Sequence, residues 1–149
     1  MFGDWYRTGD KGYFSTSHQQ YAITGRYKEI FKVRYEEVSP DEVEAELLKH
    51  PGIRDAAVTS TVARDNEKDC ECVAYVVADL GVQAVEVLRW LEGKVSRHKL
   101  PTGGVMFCGE IPRNGLGKVV RGELAGIEVQ ERSRRYLEVD WLGVVEKQQ

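Results

Sequence analysis

The chain has no apolar run near the roughly 18 residues that carry a helix across a bilayer, and its start, Met1-Phe2-Gly3-Asp4-Trp5, has no basic segment followed by an apolar one. Neither a membrane span nor a signal peptide is expected. Cysteine is scarce: Cys70, Cys72 and Cys108 make an odd number without the spacings of a disulfide framework, which argues against structural disulfides and an oxidising compartment. Positive charge is not in excess. The 21 Lys and Arg face 24 Asp and Glu, a formal net charge of −3, so neither nucleic acid nor an acidic membrane is an expected partner. No internal repeat is present, and the last residues, Glu146-Lys147-Gln148-Gln149, are not a Ser-Lys-Leu type of peroxisomal address. The expectation is an intracellular, cytoplasmic protein working on small molecules or with protein partners.

What is present fits one compact domain with short attached segments: 149 residues, 42% hydrophobic and 30% charged. Gly12-Tyr13-Phe14 and Tyr21-Ala22-Ile23-Thr24 are β-prone runs around a polar stretch and predict a hairpin that Gly25 ends. Ile30 to Val33 predicts a short strand. Ser39-Pro40-Asp41-Glu42 predicts a helix start, with Ser39 as N-cap, Pro40 at the first helical position and Glu42 as the capping-box acid. That helix runs through Val43, Leu47 and Leu48 on one face and stops at Pro51-Gly52. Strands follow at Ala56 to Val62 and Cys72 to Ala78, around the charged turn Arg64 to Asp69. Val85, Leu88, Leu91 and Val95 predict a second amphipathic helix. Val105-Met106-Phe107 is a further strand. Strands and helices mix without regular βαβ repetition, so the expected class is α+β. Beyond Leu124, a charged stretch precedes Tyr136, Leu137, Val139, Trp141, Leu142 and Val144, which suit a terminal helix or a strand.

Three segments carry chemistry. Tyr6-Arg7-Thr8-Gly9-Asp10 sets a carboxylate beyond a glycine turn, where it can accept two hydrogen bonds from a vicinal diol; alone, the pattern is ordinary turn chemistry. Gly25-Arg26-Tyr27-Lys28-Glu29-Ile30-Phe31-Lys32 delivers cations from a strand end and a short link that suits a hinge. Alone, it is a solvated face. Pro112-Arg113-Asn114-Gly115-Leu116-Gly117-Lys118-Val119-Val120-Arg121 is a glycine-bearing loop presenting an ammonium that can meet a carboxylate or phosphate oxygen. It is not the Gly-x-x-x-x-Gly-Lys-Ser/Thr phosphate loop, because Val119 lacks the hydroxyl for magnesium.

In this order the three segments resemble the ribose motif, the hinge motif and the closing lysine motif of adenylate-forming enzymes of the acyl-CoA ligase and luciferase type. The likeness continues through Val38 to Glu44, Leu47 to Pro51 and Val73 to Val77, and Gly103-Gly104-Val105 before Phe107 is similar to the luciferase and 4-coumarate-CoA ligase branch. The resemblance implies a small C-terminal lid domain over residues 28–124, a stub of the large AMP-binding domain over 1–27 and a tail over 125–149. It further implies that Asp10 holds the ribose hydroxyls, Arg26 lies near the nucleotide, Lys28 is the hinge residue and Lys118 is the adenylation lysine. Lys32 corresponds to a lysine that faces the active site in the other domain orientation. A complete member uses ATP, magnesium and CoA with a small carboxylic acid. The phosphate-binding loop and acyl pocket precede the ribose motif in the family, so this chain alone is not expected to bind these groups tightly or to make an acyl adenylate. One departure stands out. The family has Lys-x-x-Gly where this chain has Lys32-Val33-Arg34-Tyr35, and Tyr35 would intrude on the CoA channel, which counts against the thioester half-reaction.

Other candidates read as structural. Cys70-x-Cys72 finds no ligand spacing with His18, His50 or His98, Trp90 and Trp141 suit packing, and Arg132 to Arg135 is too short to argue for nucleic acid. The leading expectation is a ligase fragment that supplies Lys118 and the lid; the rival is a non-catalytic lid-like module that binds a protein.

Overall fold

The computed structural model describes residues 10–15, 20–26, 29–140 and 143–145, with side chains from Glu29 to Glu138. The predicted first hairpin is present, as β1 (Asp10–Ser15) against β2 (Gln20–Arg26). Gly25 does not end it. A register shift between Lys11 and Gly12 lets Gly25 pair with Lys11 and Arg26 with Asp10, the local irregularity that a bulge introduces.

A second, smaller hairpin joins β3 (Phe31–Val33) to β4 (Glu36–Val38). It leads into α1 (Pro40–Leu47), where Pro40 takes a first-turn position beside Asp41 and Glu42, a charge placement that suits the helix dipole. The capping box does not form. Ser39 is the N-cap without a side-chain cap hydrogen bond, and the Glu42 carboxylate instead accepts from Lys99 Nζ at 2.9 and 3.0 Å. Leu47 is fully buried while Leu48, a hundred degrees further round the helix, is half exposed, so those two residues do not share a face.

The main sheet follows, built from β5 (Ile53–Val62), β6 (Cys70–Ala78), β7 (Gly104–Phe107) and β8 (Arg134–Arg135) in that order. β5 and β6 are antiparallel; β6 and β7 are parallel, and the crossover between them carries α2 (Ala84–Leu91). Eight residues make a marginal helix alone. Burial of Ala84, Val87, Leu88 and Leu91 holds it, and Val85 and Val95 contribute only partly buried contacts.

Alternation along the strands divides the core. Ala56, Val58, Cys72, Ala74, Val76, Val105 and Phe107 face both helices. Ala57, Val73, Tyr75, Met106 and Cys108 face the other way, under Ile111 and Leu124, the latter from a 3-10 turn at Arg121–Gly126. Trp90 is a packing residue, its indole donating to the Glu46 carbonyl at 2.9 Å and so satisfying a carbonyl near the end of α1.

Beyond Gly126 the described residues form strands: β8, then β9 (Glu138–Asp140) against β10 (Gly143–Val145). Leu137 is fully buried in the main core. Arg132 donates to the carbonyls of Ala78, Asp79 and Val82 at 2.6–2.9 Å and lies 4.1 Å over the Phe107 ring, so this charged stretch clamps the β6–α2 connection.

Gly103 and Gly104 pass between β6 and β8 with no room for side chains. A Cβ on Gly103 would lie 2.6 Å from Thr61 Cγ2 and 2.8 Å from the Cys72 carbonyl oxygen, and Gly104 has φ +147, a region nearly reserved for glycine. Gly103→Ala should therefore destabilise the chain by about 1–3 kcal/mol, the usual cost of overpacking, whereas Gly109→Ala, where a Cβ meets open space, should leave the urea midpoint nearly unchanged. Equal midpoints for the two variants would contradict this packing.

Candidate functional site

Lys118 sits on a tied loop. The Asn114 side chain accepts from the backbone N–H groups of Leu116 and Lys118 at 2.9 and 3.0 Å, and the Asn114 N–H donates to the Lys118 carbonyl at 2.9 Å. Gly117 turns the chain at φ +80. Arg113 fastens the loop to β5, donating to the Gly117 carbonyl at 2.9 Å and to Asp55 at 2.6 Å. The Lys118 side chain is exposed at the mouth of a cleft of about 550 Å³ that also includes Glu29, Glu44 and Arg121, and its ammonium forms no ion pair among the described residues. A fixed backbone with an uncommitted ammonium can receive an anionic group without breaking a pre-existing bond.

Arg121, three residues on, is only 15% exposed. Its Nε donates to the Val58 carbonyl at 3.0 Å, Nη1 reaches Glu29 at 2.9 Å, and Nη2 reaches both oxygens of Glu44 at 2.5 and 2.9 Å and Asp41 at 3.5 Å. One guanidinium thus serves three carboxylates. Burial pushes the Glu44 carboxyl up to about 7, with Asp41 and Glu29 adding to the rise and Arg121 opposing it.

Lys32 lies at the other end of the long β5–β6 hairpin. Its carbonyl accepts from the Cys70 thiol at 2.6 Å, and Cys70 pairs with Val62, seven residues along β5 from Asp55. At the usual rise per residue Asp55 and Val62 stand roughly 20 Å apart along β5, so the two lysine segments are tied to opposite ends of that strand. The Lys32 side chain is exposed and lines a cleft of about 710 Å³ with Arg34, Tyr35, Asp65 and Lys68. Arg34 and Tyr35 form the two-residue tip between the paired Val33 and Glu36, with φ 49 and 73. Both central residues are left-handed, as in a type I′ turn, whose second position strongly favours glycine. Tyr35 is 96% exposed. Arg34 is held by Asp65 at 2.8 Å and through its N–H by Asp69 at 3.1 Å.

Asp10 and Arg26 are cross-strand partners at the open end of the first hairpin, so the backbone brings those two predicted residues together. Lys28, Trp5, Tyr6 and Trp141 lie outside the described residues. Burial pushes the Cys70 and Cys108 thiols up. Among the described residues, no group of three or more His, Cys, Asp or Glu could hold a metal. Sequence reasoning missed the Arg121 cluster. Its signal was the position of Glu44 on α1, four residues after buried Pro40 and three before buried Leu47, an inward place for a carboxylate.

This α+β fold is that of the small C-terminal domain of adenylate-forming enzymes. A model of the AMP-binding enzyme C-terminal domain matches residues 42–118, and the chain belongs to that family. An acyl-CoA ligase of Aspergillus oryzae is 37% identical over 85% of this chain, and a nicotinic acid-CoA ligase of Penicillium canescens is 39% identical over 85%. A probable 4-coumarate-CoA ligase of Dictyostelium discoideum is 32% identical over 82%. The chain spans about a fifth of the length of these relatives, 22%, 23% and 22% respectively. Among solved structures, o-succinylbenzoate coenzyme A synthetase of Bacillus subtilis in complex with AMP superposes with a TM-score of 0.78 at 26% identity, covering 88% of this chain and 26% of that one.

Two stability measurements test the geometry. Tyr35→Gly should raise the urea midpoint by about 0.5–1 kcal/mol of stability with an unchanged slope, by relieving the left-handed backbone, while Tyr35→Ala, which retains that strain, should not. Glu44 binds its proton more tightly in the folded chain, from an ordinary 4.5 to about 7. Its contribution is complete below the unfolded value and is lost as pH rises through about 7. The unfolding free energy should fall between about pH 5 and about pH 8, and the fall should be smaller in Glu44→Gln.

Proposed function

We propose that the chain is the lid portion of an ATP-dependent acyl-CoA ligase, contributing Lys118 to the formation of an acyl adenylate from a small carboxylic acid. The observation that carries this reading is the Lys118 ammonium, exposed and without an ion pair among the described residues, on a loop whose backbone is held by Asn114 and Arg113. In the complete enzyme, Lys118 holds the substrate carboxylate and stabilises charge that develops as pyrophosphate leaves. Asp10 accepts from the ribose hydroxyls, with Arg26 opposite it in the hairpin, and Lys28 is the pivot. Lys32 serves the second step, transfer of the acyl group to CoA. Its tie to the opposite end of the β5–β6 hairpin from the Lys118 loop supports a lid that presents one lysine at a time. Residues 1–27 belong, in this reading, to the large AMP-binding domain, which supplies the phosphate loop, the acyl pocket and the place for magnesium. A second reading, a non-catalytic lid-like module that binds a protein, is favoured by Tyr35, which stands 96% exposed where the family has glycine.

By itself the chain should catalyse no carboxylate-dependent pyrophosphate exchange. In an enzyme completed with a large domain, Lys118→Ala should slow single-turnover pyrophosphate release by about a hundred- to a thousandfold, or roughly 2.7–4 kcal/mol, with nucleotide affinity little changed. Tyr35→Gly should leave that step alone and speed thioester formation from supplied acyl-AMP. Adenylation by Lys118→Ala at the parent rate would move the balance to the protein-binding module.

A further inference from the structure

Arg121 is the point where two functionally assigned segments meet. It lies three residues after Lys118 on the closing loop, and its Nη1 holds Glu29, the residue next to Lys28, at 2.9 Å. It is braced from below by the Val58 carbonyl at 3.0 Å and from the side by both oxygens of Glu44. This arrangement is more than a surface ion pair: the guanidinium is 15% exposed and the Glu44 side chain 10%, so the bonds form where water screens them poorly.

We propose that Arg121 is a positioning residue, a clamp that fastens the start of the hinge segment, through Glu29, to the loop that presents Lys118. The proposal rests on the reading of Lys28 and Lys118 given above. Glu29, Glu44 and Asp41 share one positive charge, so they compete for it. When Glu44 carries a proton, Arg121 gives its charge to Glu29 and Asp41, and the hinge segment is held. When Glu44 ionises, it takes a larger share of Arg121 and repels Glu29, and the clamp loosens. Among the described side chains, the charged and titratable groups around Glu44 are Asp41 on α1, Glu29 before β3, Asp55 on β5, Cys72 on β6, and Arg113, Lys118 and Arg121 on the loop. Arg113 is committed to Asp55 at 2.6 Å, which leaves Arg121, among the described side chains, as the cation in contact with Glu44. The hinge segment should therefore be freer at higher pH.

Amide hydrogen exchange on the 149-residue chain reads this without any catalysis, as protection factors corrected for the intrinsic pH dependence of exchange. Glu29→Gln, a change at a partly exposed side chain, should lower protection over residues 29–33 by about tenfold and leave β5 and β6 unchanged. Arg121→Gln should do the same if it folds. In the unsubstituted chain, protection over residues 29–33 should fall between about pH 6 and about pH 8, and Glu44→Gln should abolish that fall. The proposal is overturned if Glu29→Gln keeps full protection, if β5 and β6 lose protection in step with residues 29–33 in Glu29→Gln at constant pH, or if the pH dependence over residues 29–33 survives in Glu44→Gln. Lys118→Ala should leave all of these values unchanged, so a failed catalytic assignment and a failed clamp give different results.

Discussion

Strand β6 has no face to offer to water, and the rest of the structure follows from that constraint. Cys72, Ala74 and Val76 need cover on one side, and Val73 and Tyr75 need it on the other. Two short helices supply the first cover and the segment around Ile111 and Leu124 the second. Because the second cover comes directly before and after the Lys118 loop, burying the back of the sheet also anchors that loop at both ends. The same hairpin, β5 with β6, separates the Lys118 end from the Lys32 end, so the core strand sets the spacing of the candidate chemistry.

The parts of the fold legible in the sequence were those with a sustained period or a fixed motif. β5, β6 and the inner face of α2 have several apolar residues in register, and the parallel strand at Val105 follows a pair of glycines that the packing requires. What escaped had no local signal. β8 is two residues long and cannot show alternation; it exists because the edge of β7 needs partners, which Arg134, Arg135 and the Ser133 hydroxyl, 2.8 Å from the Phe107 N–H, provide. Glu42 left the predicted capping box because Lys99, distant in sequence, offers a full charge where the cap offers a neutral N–H.

The candidate site divides in the same way. Lys118 and Lys32 were legible because each lies in a motif, and the backbone supports their placement on exposed loops and strand ends. The cluster around Arg121 was not, since its partner Glu44 lies 77 residues earlier, and nothing in the closing motif says which carboxylate will meet its arginine. Tyr35 was noticed as a departure from a pattern; the structure adds the physical reason that glycine suits the position, a left-handed φ at the tip of a two-residue turn. A side chain there is costly in backbone energy and free in space, which is why the tyrosine can be accommodated.

The fourth strand of the sheet, Arg134–Arg135, follows the end of β7 at Phe107 only after a long intervening segment, and this has a consequence for biosynthesis. During translation β5, β6, α2 and β7 emerge before Arg134 and Arg135. Until they arrive, β7 displays an open edge of unpaired amides and carbonyls, and the place of Leu137 in the core stays vacant. An exposed edge of this kind is a template for pairing with another nascent chain. The domain is thus most exposed to such pairing in the interval between the emergence of β7 and that of Arg134 and Arg135.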